Sequence, residues 1–422
     1  MKHVLIIPDG AGDLPQDDLD GRTPLEAADT PATDRLAAQG RLGTVRTTPD
    51  GMPCGSDVCT MSLLGYDPAR YHTGRAPLEA AALGLDLDPD HWIFRLNLVT
   101  VIDGCMEDHS AGAISSREGA TLLRDFAAAH APSAFALHPG VSYRNIMVDV
   151  GIDAGKASAA GVAARPAHAW DELQTTPPHD IPGRPIRKHL PAGGGGNGRH
   201  ARELQQLIAE SEVFLAGHEI NATRVEMGEL PATHFWPWGQ GTRPKLPPFS
   251  ERFGKRAAMI TAVDLLAGLA RFLGIDRLDV PGQTSYHDTD YAAAGAHAVA
   301  ALDAGQHELV IVHIEAPDEA SHAADLRTKV AAIEAIDRHV VGPIHAALEA
   351  SGEFWRVLMM PDHYTRVDTR KHDPTPVPFL LAGHKVGGVV HPPFNEPNAA
   401  ASDLHVQHGH ELMDYFLKPA KP

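Results

Sequence analysis

The sequence predicts an α/β protein: a parallel sheet with helices on both faces, interrupted by an inserted α+β domain. Three observations predict it. Short apolar runs alternate with helical stretches near both ends of the chain. Between about Trp92 and Trp238 the strand-like runs become shorter and alternate in polarity. The 422 residues are also more than one hydrophobic core usually serves, so a second domain is expected.

"HVLIIPDG" is an apolar run closed by Pro8, Asp9 and Gly10, the pattern of a buried parallel strand. A helix is expected from Pro31 to Gln39, stopped by Gly40. In "MPCGSDVCTMSLLGYDP" a mostly apolar helix runs from Val58 to Leu64. Within the insert, "WIFRLNLVTVIDG", "SAFALHPGVSYRNIMVDV" and "ATHFWPWG" read as strands, and "REGATLLRDFAAAHA" as a helix. "GGGGNG" (Gly193 to Gly198) has no preceding strand and no following Gly-Lys-Ser/Thr, so it reads as a flexible loop and not a phosphate loop. The core pattern returns at "FGKRAAMITAVDLLAGLARFLG". "HELVIVHIEAPD", "FWRVLMMPDH" and "PVPFLLAG" are further strands, and "GHELMDYFL" closes the chain as a helix. The core is assigned to residues 1–91 and 239–422, the insert to 92–238.

Composition narrows the function. A net charge of −18 argues against a nucleic-acid surface, which needs clustered Lys and Arg, yet allows a small anionic substrate held by a few local cations. No segment is long and apolar enough for a membrane span, and the N-terminal run is too short for a signal peptide. Cys54, Cys59 and Cys105 form no C-x-x-C pair, which fits a reducing cytoplasm. Twenty-six histidines invite a search for metal ligands.

That search finds a constellation at strand ends. Asp9 follows the first strand, and Asp318 with His322 at i+4 follows "LVIVHIEAP". Asp362 and His363 follow "VLMMP", and His372 precedes "DPTPVPFLL". Ligands of open α/β sheets bind beyond the carboxyl ends of strands, so these residues converge on one crevice. Carboxylate oxygens with imidazole nitrogens suit divalent Mn, Zn, Co or Mg. Each has a blander reading: Asp9 before Gly10 as a turn residue, Asp318 as a helix cap, His372 as a surface histidine. Ser56, between Gly55 and Asp57, is either an N-cap or a nucleophile at a helix N-terminus, where backbone donors and the dipole favour a phosphate. Two ions beside it would acidify the hydroxyl and neutralise a phosphoryl group in flight.

"IIPDGAGDLP", "TPLEAADTPATDRLA", "GSDVCTMSLLGYDP", "GRAPLEAAALGLDL", "HIEAPDEASH", "PDHYT", "KHDPTPVPFLLAG" and "QHGHELMDYFL" span nearly the whole chain in order. As a set they resemble the archaeal-type, cofactor-independent phosphoglycerate mutases of the alkaline phosphatase superfamily. The resemblance implies an alkaline-phosphatase-like core, an inserted cap acting as a lid, two divalent ions (Mn²⁺ first, with Mg²⁺, Co²⁺ or Zn²⁺ as alternatives), and no 2,3-bisphosphoglycerate. It implies one ion on Asp9, Ser56, Asp362 and His363, and the other on Asp318, His322 and His372. Ser56 would carry the phosphoryl group between 3- and 2-phosphoglycerate. "HIEAPDEASH" and "TRKHDPTPVP" look closest to a bacterial subgroup, part of which has been proposed as homoserine kinases, so a kinase-like phosphotransferase is an alternative, as is a metal-dependent phosphohydrolase. "DHSAG" departs from the more basic pair usual there, and His109 within it reads as a loop residue. For a substrate carrying phosphate and carboxylate, Arg75, Arg95, Arg144 and Lys255 are the candidate binding residues, with Arg117 a further arginine of the insert. The sequence leaves the oligomeric state open.

Overall fold

The computed structural model describes residues 1–131, 133–151, 170, 172–193, 198–388 and 392–418. The inner residues of the expected glycine loop, 194–197, lie outside them. The chain divides into two compact units, Met1–His72 with Lys245–Pro422, and Thr73–Pro244. The division lies outside the expected 92–238. The helix Ala76–Ala82 packs on the strands Trp92–Ile102 and His234–Thr242, which draws residues 73–91 into the insert.

The first unit is built on an eight-stranded sheet in the order Asp276–Arg277, Ala257–Ile260, Leu309–Ile314, Lys2–Pro8, Trp355–Met359, Val377–Gly383, Gly40–Val45, His405–Val406. The strands Leu309–Ile314 and Trp355–Met359 flank Lys2–Pro8 in parallel, with Ile6 opposite Val312 and Met359. Burial on both faces explains their unbroken apolar runs. On one face Val4, Ile6, Val310, Val312, Val357 and Met359 pack under Ala294, Ala298, Ile333, Ile336 and Ile344 of the covering helices.

Two features depart from the reading of the sequence. The strand Val377–Gly383 runs antiparallel to both neighbours, so the sheet is mixed. A hairpin of Tyr364–Arg366 and Lys371–Asp373 turns the chain before it. A residue that precedes this strand therefore stands at the same sheet end as residues that follow the others, which brings His372 into range. The strand Gly40–Val45 was not expected, because Gly40 and Gly43 dilute its strand character. Both glycines are required: a Cβ at Gly40 would lie 2.4 Å from the Leu381 carbonyl oxygen, and one at Gly43 would lie 2.5 Å from that of Leu404.

The second unit has a five-stranded antiparallel sheet around the long strand Trp92–Ile102, which pairs with Arg144–Asp149 on one side and His234–Thr242 on the other. The helices Ser116–Ala129 and Arg199–Ala216 cover it through Leu122, Phe126, Leu204 and Leu215, packed with Phe94, Leu96, Leu98 and Phe235.

Candidate active site

The carboxyl ends of three neighbouring strands place Asp9, Asp318 and the Asp362–His363 pair side by side, and the hairpin adds His372. Their close approach depends on Gly10, whose φ of +60° is in the left-handed region. A Cβ there would sit 2.7 Å from Asp318 Oδ1 and 2.5 Å from Thr365 Oγ1. The Gly10 amide donates to Asp362 Oδ1 (3.2 Å), which also accepts from the His363 amide (2.9 Å).

Ser56 is the first residue of the helix Ser56–Leu63, all eight residues of which are buried. Gly55 holds the N-cap position, in extended backbone and with no side-chain cap, so the N-cap reading of Ser56 does not hold. Its hydroxyl lies 3.3 Å from His363 Nε2, which is 3.6 Å from Asp9 Oδ1 and 3.2 Å from Asp362 Oδ2. Asp318 is flanked by the other histidines: His322 Nε2 is 3.3 Å from Oδ2, and His372 Nε2 is 3.4 Å from Oδ1. These two imidazole nitrogens face each other at 3.0 Å, while their opposite nitrogens meet the carbonyl oxygens of Arg370 (3.0 Å) and Cys54 (3.1 Å). His363 stacks on His372 with ring centroids 3.9 Å apart, and so borders both clusters.

The electrostatics are those of a cation site. Burial, then the Asp362 and Asp318 charges, push the Asp9 carboxyl well above its ordinary range. Burial also disfavours ionisation of Asp318, but hydrogen bonds from His322 and His372 prevail and hold it well below that range. Asp318 in turn raises His322, and raises His372 to about 9 against the effect of burial. Burial keeps His363 low. Asp9 Oδ1 and Asp362 Oδ2 are buried with no hydrogen-bond partner among the described residues. Orphaned carboxylate oxygens, and imidazoles pushed toward protonation with their nitrogens facing, are groups that a divalent cation would satisfy. Among the described residues three donor sets have ligating atoms within 4.8 Å of one another: Asp9, Asp362 and His363; Asp318, His363 and His372; and Asp9, His313 and Glu315.

Four residues near these clusters escaped the reading of the sequence. Thr365 Oγ1 donates to Asp318 Oδ1 (2.5 Å) and meets His363 Nδ1 (3.1 Å), so it orients one carboxylate and one imidazole. Buried Lys329 gives its ammonium protons to Asp13 Oδ2 (2.9 Å) and to the carbonyls of Gly12 (3.3 Å) and Thr365 (2.7 Å), tying the first loop to the hairpin. His313 and Glu315 stand beside Asp9, with His313 Nε2 2.7 Å from Asp9 Oδ2. The apolar run "LVIVHIEAP" conceals both.

Residues 37–221 match the family model described as 2,3-bisphosphoglycerate-independent phosphoglycerate mutase. A protein of Methanothermobacter thermautotrophicus named 2,3-bisphosphoglycerate-independent phosphoglycerate mutase 2 is 42% identical over 420 residues, covering 100% of this chain and 98% of its own. The chain belongs to the 2,3-bisphosphoglycerate-independent phosphoglycerate mutase family. By family it is an isomerase, and the kinase-like and phosphohydrolase alternatives are not favoured. Among solved structures, a Pyrococcus horikoshii protein is similar at 26% identity and TM-score 0.78, covering 100% of this chain and 98% of its own. The cofactor-independent phosphoglycerate mutase of Thermoplasma acidophilum is similar at 27% identity and TM-score 0.63, covering 99% of each chain.

Three of the four substrate candidates of this mutase-family chain lie in the second unit, where Arg75 and Arg144 act on the charge of Arg95. Arg95 is 8% exposed, its Nε is 2.9 Å from Glu79 Oε2, and its guanidinium lies over the Trp238 ring at 3.9 Å. Burial pulls it down to about 10, Glu79 opposes this, and Arg75 and Arg144 add to it. Arg144 lies over Tyr143 at 4.6 Å. His109 stands in a turn after the strand Cys105–Asp108, as a loop residue would. Its ring packs on Tyr143 at 5.6 Å and on His179 at 6.1 Å, and His179 in turn packs on Trp238 at 5.2 Å. Arg117, by contrast, is exposed on the helix Ser116–Ala129. Lys255 is placed elsewhere. It precedes the strand Ala257–Ile260 and acts on His3 and Glu308 at the amino end of the sheet, while the ligand clusters are at the carboxyl end. It has no place in the site.

Proposed function

We propose that the protein interconverts 3-phosphoglycerate and 2-phosphoglycerate through a phosphoserine at Ser56, without 2,3-bisphosphoglycerate. The observation that carries this reading is the position of the Ser56 hydroxyl, at the first residue of a buried helix and 3.3 Å from a nitrogen of the imidazole that two of the donor sets share. Asp9, Ser56, Asp362 and His363 would hold one divalent cation, and Asp318, His322 and His372 the other. Manganese is the first choice for such an oxygen and nitrogen set, with magnesium, cobalt or zinc as alternatives. When bound, the cations lower the serine pKa and neutralise charge on the transferring phosphoryl group.

In the first transfer Ser56 Oγ bonds to phosphorus as the bond from phosphorus to the 3-oxygen breaks, and the serine proton ends on that oxygen. In the second, the 2-oxygen bonds to phosphorus, the bond to Ser56 Oγ breaks, and the proton of the 2-hydroxyl returns to the serine. Nothing is consumed, as an isomerisation requires. The amino end of this helix would favour the phosphoryl oxygens through its dipole. Arg75, Arg95 and Arg144 would bind the anionic groups of the glycerate. Three free thiols, Cys54, Cys59 and Cys105, support a reducing cytoplasm as its location.

The test is an assay with Mn²⁺-loaded protein, 3-phosphoglycerate and no 2,3-bisphosphoglycerate, following 2-phosphoglycerate and free phosphate together. Formation of 2-phosphoglycerate with little free phosphate is expected. Phosphate released in its place would overturn the mutase reading.

A further inference from the structure

We propose that Cys54 and Cys59 form a redox modification site, a thiol pair that oxidation converts into a disulfide across Ser56, disarming that residue; the disarming rests on Ser56 being the nucleophile. The two cysteines flank Ser56, Cys54 shortly before it and Cys59 in the first turn of the helix Ser56–Leu63. Their thiols are hydrogen-bonded to each other. Thr48 touches both: its Oγ1 lies 3.2 Å from Cys59 Sγ and bonds with the Cys54 thiol as well. Cys59 is fully buried and Cys54 half-buried, so solvent reaches the pair from the Cys54 side. Both are free thiols.

An oxidant of the peroxide class completes the step. Cys54 Sγ bonds to one peroxide oxygen as the O–O bond breaks, giving a sulfenic acid and one water. Cys59 Sγ then bonds to Cys54 Sγ, the S–O bond breaks, and a second water leaves. Two thiols are oxidised, one peroxide is reduced, and each thiol proton ends in a water. Access sets the order: the sulfur that solvent reaches meets the oxidant, and the buried one resolves it. The two partners also differ in freedom. Cys59 is fixed in the helix, with its amide donating to the Gly55 carbonyl at 2.9 Å. Cys54 lies in irregular chain before the helix, so it is the part that moves when the sulfurs close to bonding distance. That movement reaches the site. The Cys54 carbonyl oxygen is 3.1 Å from His372 Nδ1, and Ser56, next but one in the chain, has its hydroxyl 3.3 Å from His363 Nε2. The disulfide thus withdraws a hydrogen-bond partner from His372 and turns Ser56 away from His363, and reduction restores both. A reducing compartment suits such a pair, since disulfides formed there are transient and redox-sensing.

The probe is hydrogen peroxide. Full-length, Mn²⁺-loaded wild type is treated with it, free thiols are counted after denaturation, and the peptides are mapped by mass spectrometry. The count should fall from three to one, with Cys54 joined to Cys59, and dithiothreitol should return all three. Cys105→Ala should still lose a pair of thiols, whereas Cys54→Ala should lose none; Cys59→Ala takes its place should Cys54→Ala not fold. Mutase turnover of wild type should fall in step with the disulfide formed and recover with dithiothreitol, while Cys54→Ala ignores the peroxide. Thiols that stay free, or oxidation that stops at an acid on one cysteine, overturns the pair. A disulfide formed with turnover unchanged overturns its hold on Ser56. The reading of Ser56 fails separately: reduced wild type would then make no 2-phosphoglycerate, which removes the disarming and leaves the thiol count to decide the disulfide.

Discussion

The ligand clusters of the first unit and the arginine cluster of the second solve opposite electrostatic problems. At the carboxyl end of the core sheet, Asp9, Asp318, Asp362 and Glu315 are crowded at low exposure with more acceptors than donors, an arrangement that requires added positive charge. In the second unit, the charges of Arg75 and Arg144 act on Arg95, and Glu79 and two aromatic faces offset the cluster in part. The first arrangement suits cations and the second suits an anion. The first is also closely interlocked: Gly10 leaves room for both Asp318 and Thr365, and Thr365 Oγ1 contacts both Asp318 and His363. Chemistry is therefore expected to fail abruptly when the core is altered, and binding to weaken by degrees when the arginines are.

The largest effect belongs to Ser56→Ala. Turnover should fall by at least about 10⁴-fold, as when a covalent nucleophile is removed. The fold should survive, because Gly55 and not Ser56 caps the helix and the deletion is one hydroxyl. Activity retained in a folded Ser56→Ala protein would refute the covalent route.

Removal of a ligand comes next. His322→Ala should weaken metal retention by about 100-fold or more, with part of the turnover restored by excess Mn²⁺. Metal content and activity unchanged in this variant would break the assignment of His322. The graded side of the contrast is tested by Arg144→Met. Loss of one charge-assisted hydrogen bond, worth about 1.5–3 kcal/mol, predicts a KM higher by roughly 10- to 150-fold with metal content unchanged. A fall in bound metal would erase the distinction between the two regions.

The same contrast explains what could be read from the sequence. Asp9, Asp318, Asp362 and His363 were legible because a parallel strand ends abruptly, and the residue after the apolar run stands at its carboxyl end. His372 was legible as a candidate, but its location depends on an antiparallel strand that its apolar run does not reveal. His313 escaped because it lies inside a strand, where a histidine reads as part of the core. The strand at Gly40–Val45 escaped because glycines chosen for close packing carry no strand signal. In the cap, arginines could be named as a residue type and not as a cluster. Arg95 and Arg144 come together because the strands Trp92–Ile102 and Arg144–Asp149 pair with Asn97 opposite Arg144, a register fixed over long range. Lys255 shows the limit: a basic residue beside a core strand stands at either end of the sheet, and this one is at the end without the chemistry.

That opposite end sharpens the comparison with a smaller effect, on stability alone. His3 is fully buried, with its Nδ1 3.2 Å from the Glu308 carbonyl oxygen and its ring edge-on to Phe416 at 5.4 Å. Burial, and then the Lys255 charge, lower it from 6.5 to about 4. Between those values the unfolded chain binds a proton that the folded chain does not, so stability rises with pH across this window. The contribution is complete above about pH 6.5 and is lost as pH falls toward 4, on the order of 3 kcal/mol in all. Urea midpoints measured from pH 4 to 7 should therefore fall less steeply in His3→Leu than in wild type. The comparison is made between the two proteins because acid also protonates the metal ligands, an effect both share. Identical acid limbs would show that His3 is protonated in the folded protein, its charge held by the Glu308 carbonyl against the effect of burial.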